Sequence, residues 1–294
     1  MRTTAFSIFN QLTRSLGDNL RILSRLNNML STGKKINNPS DDATGMMKAM
    51  DYKVSINQIE QYKRNIDEAN AHLGFADTTM SSVTNLLIRA REMTVQGSTD
   101  SLSPQDRTAM SEEIAELRDE LLSLSNGKFR NKYIYSGFKT DTPAYDTSFA
   151  YQGDAGAVNV MIDHNATMAI NIPGDQVFSY GGTTFMRTLD DLYNALTNPA
   201  STSADIALFI DDIDNALDTV ANVRADIGAR LNHLDDRRNN LEDRDISLKT
   251  YLSETVDTDF AETISEISKT ELALQSLRQS GAEILSQSLL SFLR

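Results

Sequence analysis

The sequence predicts a mainly α protein with a small β-rich insert, built as an elongated antiparallel bundle of long helices that ends in coiled-coil arms. Three observations carry that expectation. From Ile59 the chain lays down Ile59, Tyr62, Ile66, Ala69, Leu73, Ala76, Met80, Val83, Leu87 and Ala90, ten a/d positions in strict 3-4 alternation. Such a series describes a helix buried along one seam against other helices. Residues 52–94 would make a rod of roughly 65 Å at 1.5 Å per residue. A second long series returns later in the chain. Between the two, residues 131–187 change texture to Gly, Pro, Thr and aromatic residues with short alternating runs.

The first helix is expected from about Thr4 to Thr32 and carries Phe9, Leu12, Leu16, Asn19, Leu23, Leu26 and Leu30 at 3-4 spacing. Asn19, its one polar member, is the kind of buried amide that fixes register at some cost in stability. Gly33 stops the helix, and Lys34 and Lys35 follow at the negative end of its dipole. Residues 36–45 turn and restart. Pro39 blocks continuation, Ser40 is placed to cap the next helix, and Asp41 and Asp42 sit at its positive end. The long helix ends near Gln96 and Gly97. A third begins with Ser103 as N-cap, Pro104 at the first helical position and Asp106 reaching back, and its stripe of Met110, Ile114, Leu117, Leu121 and Leu124 closes at Gly127.

In the insert, residues 158–162 and 167–172 alternate and flank a turn at 163–166, which reads as a β-hairpin. A short helix is expected at 189–196. The return tract starts near Ser203 with Ile206, Ile210, Ile213, Leu217, Val220, Arg224, Ile227, Leu231, Leu234, Arg238, Leu241, Asp245, Leu248 and Leu252. Eleven of these fourteen are apolar, enough to pair with the outgoing rod, with Arg224, Arg238 and Asp245 at the seam's edge. The final segment carries Phe260, Ile264, Ile267, Leu274, Leu277, Ile284, Leu285, Leu289 and Phe292, amphipathic but with a register shift around Glu271 and Gly281.

The expected division is therefore an N-terminal arm at 1–40, an outgoing rod at 41–130, an outer β-rich insert at 131–202, a return rod at 203–254 and a C-terminal arm at 255–294. The rod seam is assigned to Ile59, Tyr62, Ile66, Leu73, Met80, Val83 and Leu87, and the assembly interface to the apolar series of the two arms, Asn19 included. Lone arms of this length cannot bury their stripes without each other or a neighbour, so the ends are expected to order on assembly.

Composition agrees with long helices: no Cys, no Trp, 7% aromatic residues and five Pro in 294 residues. Without Cys there is no disulfide framework and no thiolate nucleophile or metal ligand. A net charge of −13 would repel a phosphate backbone, so no nucleic-acid partner is expected. No run of about 18 apolar residues is present, so no membrane span is expected. Residues near Met1 lack a signal-peptide core; their Arg-rich, Ser-bearing character is shared with mitochondrial transit peptides, which have no reason to keep a heptad register. Residues 1–35 sum to +5 and residues 254–294 to −4, which suits two ends that pair.

Catalytic chemistry finds no candidate. His72, His164 and His233 lie in three different elements without metal-ligand spacing and are expected to face solvent. Asp211, Asp212 and Asp214, like Asp235 and Asp236, read as solvated helix faces. The acidic pair at Asp41 and Asp42 reads as capping, and the Asn165-Ala166-Thr167 sequon as chance. No cofactor, metal or catalytic residue is assigned.

The turn from Ser31 to Gly45, STGKKINNPSDDATG, resembles the signature after the first helix of the flagellin superfamily. Residues 89–97, RAREMTVQG, are similar to the end of that superfamily's long helix, and 281–287 with 290–294 to its C-terminal helix. Within the superfamily, Asn38-Pro39-Ser40-Asp41-Asp42 and the stretch 131–143, NKYIYSGFKTDTP, resemble the hook–filament junction branch, the hook-associated protein 3 family. That resemblance implies a flagellin-like fold and a secreted structural subunit, exported unfolded by the flagellar type III apparatus. It implies terminal arms in an inner coiled coil, like subunits in a ring, the first hook-associated protein on the hook side, flagellin on the filament side, and an export chaperone at the C-terminal segment. A short flagellin, the bulk filament subunit, is the nearest alternative, and a cytosolic coiled-coil adaptor is the alternative from another class.

Overall fold

The computed structural model describes residues 2–99 and 103–292, with side chains over 6–99 and 103–283. In chain order the elements are α1 (Arg2–Thr32), α2 (Ala43–Gly97), α3 (Pro104–Ser125), β1 (Lys128–Phe129), β2 (Lys132–Tyr133), β3 (Asn159–Asp163), β4 (Ala166–Ala169), α4 (Gly174–Val177), β5 (Ser179–Tyr180), β6 (Thr183–Thr184), α5 (Phe185–Thr197), α6 (Ser203–Val256) and α7 (Phe260–Phe292). They form two compact units, Met1–Gln58 with Asp243–Arg294, and Ile59–Glu242.

In the first unit α1 packs on α7. Gly33 ends α1 at φ +70°, a left-handed conformation that glycine reaches without strain. The connections on either side are joined by backbone: Lys35 N–H donates to Val256 O at 2.7 Å, and Thr258 N–H donates to Gly33 O at 3.0 Å. Lys35 Nζ also donates to Glu254 O at 2.6 Å, so its charge serves the C-terminal end of α6 rather than that of its own helix. The cap of α2 is Asp42, not Ser40. Asp42 Oδ1 accepts from the N–H groups of Thr44 and Gly45, at 3.0 and 2.9 Å, because Asp42 immediately precedes the helix. Ser40 lies further out, in a turn that Asp41 closes by accepting from the N–H groups of Asn37 and Asn38. Those backbone bonds, Asn38 first, hold the Asp41 carboxyl below the usual range.

In the second unit, ion pairs step down α6 as they step up α2: Lys63–Glu242 at 2.8 Å, Asp67–Arg238 at 2.6 Å, Asp77–Arg224 at 3.0 Å, and Arg91–Asp214. The two helices therefore run antiparallel. Between the charges, Ile66, Leu73, Met80 and Val83 of α2 and Ile213, Val220, Ile227 and Leu234 of α6 are buried. Asp214 thus departs from the expected solvated face: its Oδ2 accepts from Arg91 Nη2 at 3.1 Å, and this partner holds its carboxyl low. The capping box of α3 forms, with Ser103 Oγ accepting from Asp106 N–H and the Asp106 carboxylate accepting from Ser103 N–H. α3 in turn packs on α5.

The insert is narrower in its β content than the sequence suggests. The ribbon β1–β2 enters it and the ribbons β3–β4 and β5–β6 lie within it, each two-stranded, antiparallel and separate from the others. The expected hairpin turn shortens to His164 and Asn165, since Asp163 pairs with Ala166 across an irregularity in register. α5 starts at Phe185, four residues early, because Thr184 Oγ1 accepts from Arg187 N–H and caps it. What organises the insert is aromatic: Tyr135 and Tyr145 meet Phe178 edge-on at centroid distances of 5.0 and 6.0 Å, and Tyr145 O–H donates to Gly174 O at 2.8 Å.

His72 also departs from expectation. Its ring meets Phe129 edge-on at 5.6 Å and its Nδ1 is buried, while His164 and His233 are exposed. Burial lowers the His72 pKa.

Candidate assembly interface

The seam between α1 and α7 is built from small residues as much as large ones. On α1, Leu26 is buried and Leu12, Leu16, Asn19, Leu23 and Leu30 are half-buried. On α7, Thr263, Leu274 and Gly281 are buried and Ile267, Thr270 and Leu277 half-buried. These six α7 positions keep an unbroken 4-3-4-3-4 spacing, so the expected register shift near Glu271 and Gly281 does not occur. Two threonines and a glycine occupy seam positions, so the apolar residues alone do not trace the seam. Thr263 Oγ1 and Thr270 Oγ1 donate to the carbonyls of Asp259 and Glu266, which satisfies their hydroxyls within the helix.

Asn19 does the same. Its Nδ2 donates to Ser15 O at 2.8 Å on its own helix rather than across the seam.

Three of the residues assigned to the arms point elsewhere. Phe9, Phe260 and Ile264 are exposed, and with them Phe6, Ile8, Leu20 and Ile22 of α1 and Leu272 of α7. Phe6 is 68% exposed and Leu272 65%. The side chains of Ile284, Leu285, Leu289 and Phe292 lie outside the described residues. Elsewhere in the first unit, α2 exposes Met47, Met50 and Val54, and α6 exposes Ile246 and Tyr251. Apolar side chains left in water in such number are available to a partner, and methionine suits faces that adapt in shape. The sequence did hold a signal for this outer face. Phe6, Ile8, Leu20 and Ile22 exceed what a single 3-4 stripe on the first helix accounts for.

In the second unit the rod-seam residues Ile59, Ile66, Leu73, Met80, Val83 and Leu87 are buried and Tyr62 is half-buried. The buried six hold the unit together and are not accessible to an outside partner. Among the described residues no group of three or more His, Asp or Glu is arranged to hold a metal ion, and no helix is long and apolar enough to cross a membrane.

Two family models match the chain, the bacterial flagellin N-terminal helical region over residues 6–140 and the bacterial flagellin C-terminal helical region over residues 210–293. The sequence is 29% identical over 299 residues to flagellar hook-associated protein 3 of Escherichia coli (strain K12), an alignment that covers 94% of each protein. Among solved structures it is similar to a flagellar hook-associated protein of Vibrio parahaemolyticus, with a TM-score of 0.70 and 25% identity over 74% of this chain and 100% of that one. It also shares its fold with the flagellar junction protein FlgL of Legionella pneumophila, with a TM-score of 0.61 and 19% identity over 71% of this chain and 100% of that one.

Proposed function

The chain belongs to the bacterial flagellin family, and on that premise we propose that it is the structural subunit joining the flagellar hook to its filament. The observation that carries this reading is the match with a hook-associated protein 3 over 94% of both chains, more than the helical ends alone could supply. The nearest alternative remains a short flagellin. The role is mechanical, the coupling of two unlike polymers through one subunit, and no reaction is assigned to it.

On this reading the arms at 1–40 and 255–294 enter an inner coiled coil among like subunits in a ring. The rods at 41–130 and 203–254 stack beside their neighbours, and the insert at 131–202 faces outward. The first hook-associated protein lies on the hook side and flagellin on the filament side. The subunit leaves the cell unfolded through the flagellar export apparatus, with a chaperone holding the C-terminal segment until then. The exposed apolar faces of α1, α2, α6 and α7 support the assembly part, since each Å² of apolar surface removed from water contributes about 25 cal/mol.

Gold-labelled antibody on sheared flagella, viewed by electron microscopy, tests the reading. A single band where hook meets filament is expected. Label along the whole filament would make the protein a flagellin, and label confined to cells would make it a cytosolic adaptor.

A further inference from the structure

We propose that a slot in the second unit, of about 230 Å³, receives the guanidinium or ammonium head of a basic side chain presented by a neighbouring flagellar subunit. The class of partner rests on the junction reading; the chemistry of the slot does not. Its walls are Tyr180, Phe185 and Phe209, and Asp191 and Asp212 stand at it with Thr188. Aromatic faces attract a cation through the ring quadrupole, and carboxylates complete the match with charge-assisted hydrogen bonds. An anion would meet two like charges there. A wholly apolar group would desolvate both carboxylates without replacing their hydrogen bonds.

The slot is built by a tight element. Gly181 and Gly182 join β5 to β6 with φ of +58° and +85°, the pair of left-handed residues that a two-residue hairpin turn requires. That turn sets Tyr180, half in water, at the slot that Phe209 of α6 also lines. The cation that Asp191 already meets is a poor partner. Arg187 approaches Asp191 only to 3.6 Å, from one turn away on the same helix, with both side chains about half exposed. Pairs of this kind contribute little, so an incoming head group that meets both carboxylates between aromatic side chains can displace it.

The test uses the full chain assembled into flagella. A benzoylphenylalanine at position 180 in place of Tyr180 is irradiated, and the cross-linked peptides are sequenced. We expect a peptide of a neighbouring subunit with Lys or Arg at or beside the linked residue. The double variant D191N/D212N should melt as the parent does and still reach the junction, while filaments shed at fixed shear rise about fivefold. Unchanged shedding together with no basic cross-linked peptide, in flagella whose gold label still marks the junction, would overturn the proposal and leave the junction reading standing. Spermidine titrated into the purified chain separates the other source of such a cation. Tight spermidine binding that D191N/D212N abolishes, with no cross-link to a neighbour, would assign the slot to a free polyamine and overturn it equally. Gold label away from the junction would defeat the reading itself.

Discussion

Leu12 of α1 and Gly281 of α7 meet so closely that a Cβ built on the glycine would stand 2.9 Å from the leucine Cδ2. At that point the seam between the arms is made by one side chain filling the space the other lacks. Gly281→Ala gains helix propensity of about 1 kcal/mol while pushing the flexible end of Leu12 aside, so the two effects offset. Gly281→Ile should cost about 1–3 kcal/mol by overpacking. Leu12→Ala should recover part of that loss in the double variant, and a double-mutant cycle on amide exchange in α1 and α7 measures it. Purely additive changes would mean that the two residues do not share the space.

The outer face of the arms separates assembly from folding. Ile264→Glu should leave the melting of the free chain within about 0.5 kcal/mol, because the residue is already exposed. The same substitution should prevent incorporation into flagella. Leu16→Asp, in the seam, should also block incorporation while the aromatic cluster of the insert stays folded by near-ultraviolet circular dichroism. Normal filaments from both variants would remove the arms from the interface.

Within the second unit, apolar burial should outweigh the ladder of charges. Ile66→Ala, at a fully buried position, should lower stability by about 2–5 kcal/mol. Arg238→Ala, at a half-exposed pair, should cost less than about 1 kcal/mol and lose even that at high salt. Urea midpoints at two ionic strengths distinguish the two.

His72 gives stability a specific pH dependence. Burial lowers its folded pKa below the ordinary value of 6.5, so below that value the unfolded chain binds a proton that the folded chain resists. Its contribution is complete above about pH 6.5 and declines as pH falls toward the folded pKa. Glu68 on the same helix and the Ile170 backbone limit the decline, since both favour the charged ring. Urea unfolding at pH 7.5 and 5.5 should show a drop that His72→Phe reduces. An equal drop in the variant would assign it to other groups.

The α2 seam was legible in the sequence because every one of its ten positions is apolar, and the start of α3 because Ser103, Pro104 and Asp106 announce it locally. The seam of α7 was hidden because Thr263, Thr270 and Gly281 are not hydrophobic by type, although Thr263 and Gly281 are buried and Thr270 half-buried. The Arg91–Asp214 pair was hidden because its members lie 123 residues apart. In the insert, short runs of β-forming residues gave the right kind of local structure. Whether such runs join into one sheet or stay as ribbons depends on long-range packing that residue type alone does not encode.

The staple between the two connections of the first unit is made of peptide groups: Lys35 N–H on Val256 O, and Thr258 N–H on Gly33 O. Side-chain replacement at Lys35, Val256 or Thr258 leaves the bonds in place, proline at 35 or 258 deletes a donor, and only Gly33 is held to its residue type, by its φ of +70°. The neighbourhood can therefore drift in sequence without coming apart. Divergent members of a lineage can retune what their arms touch while inheriting the same fastening.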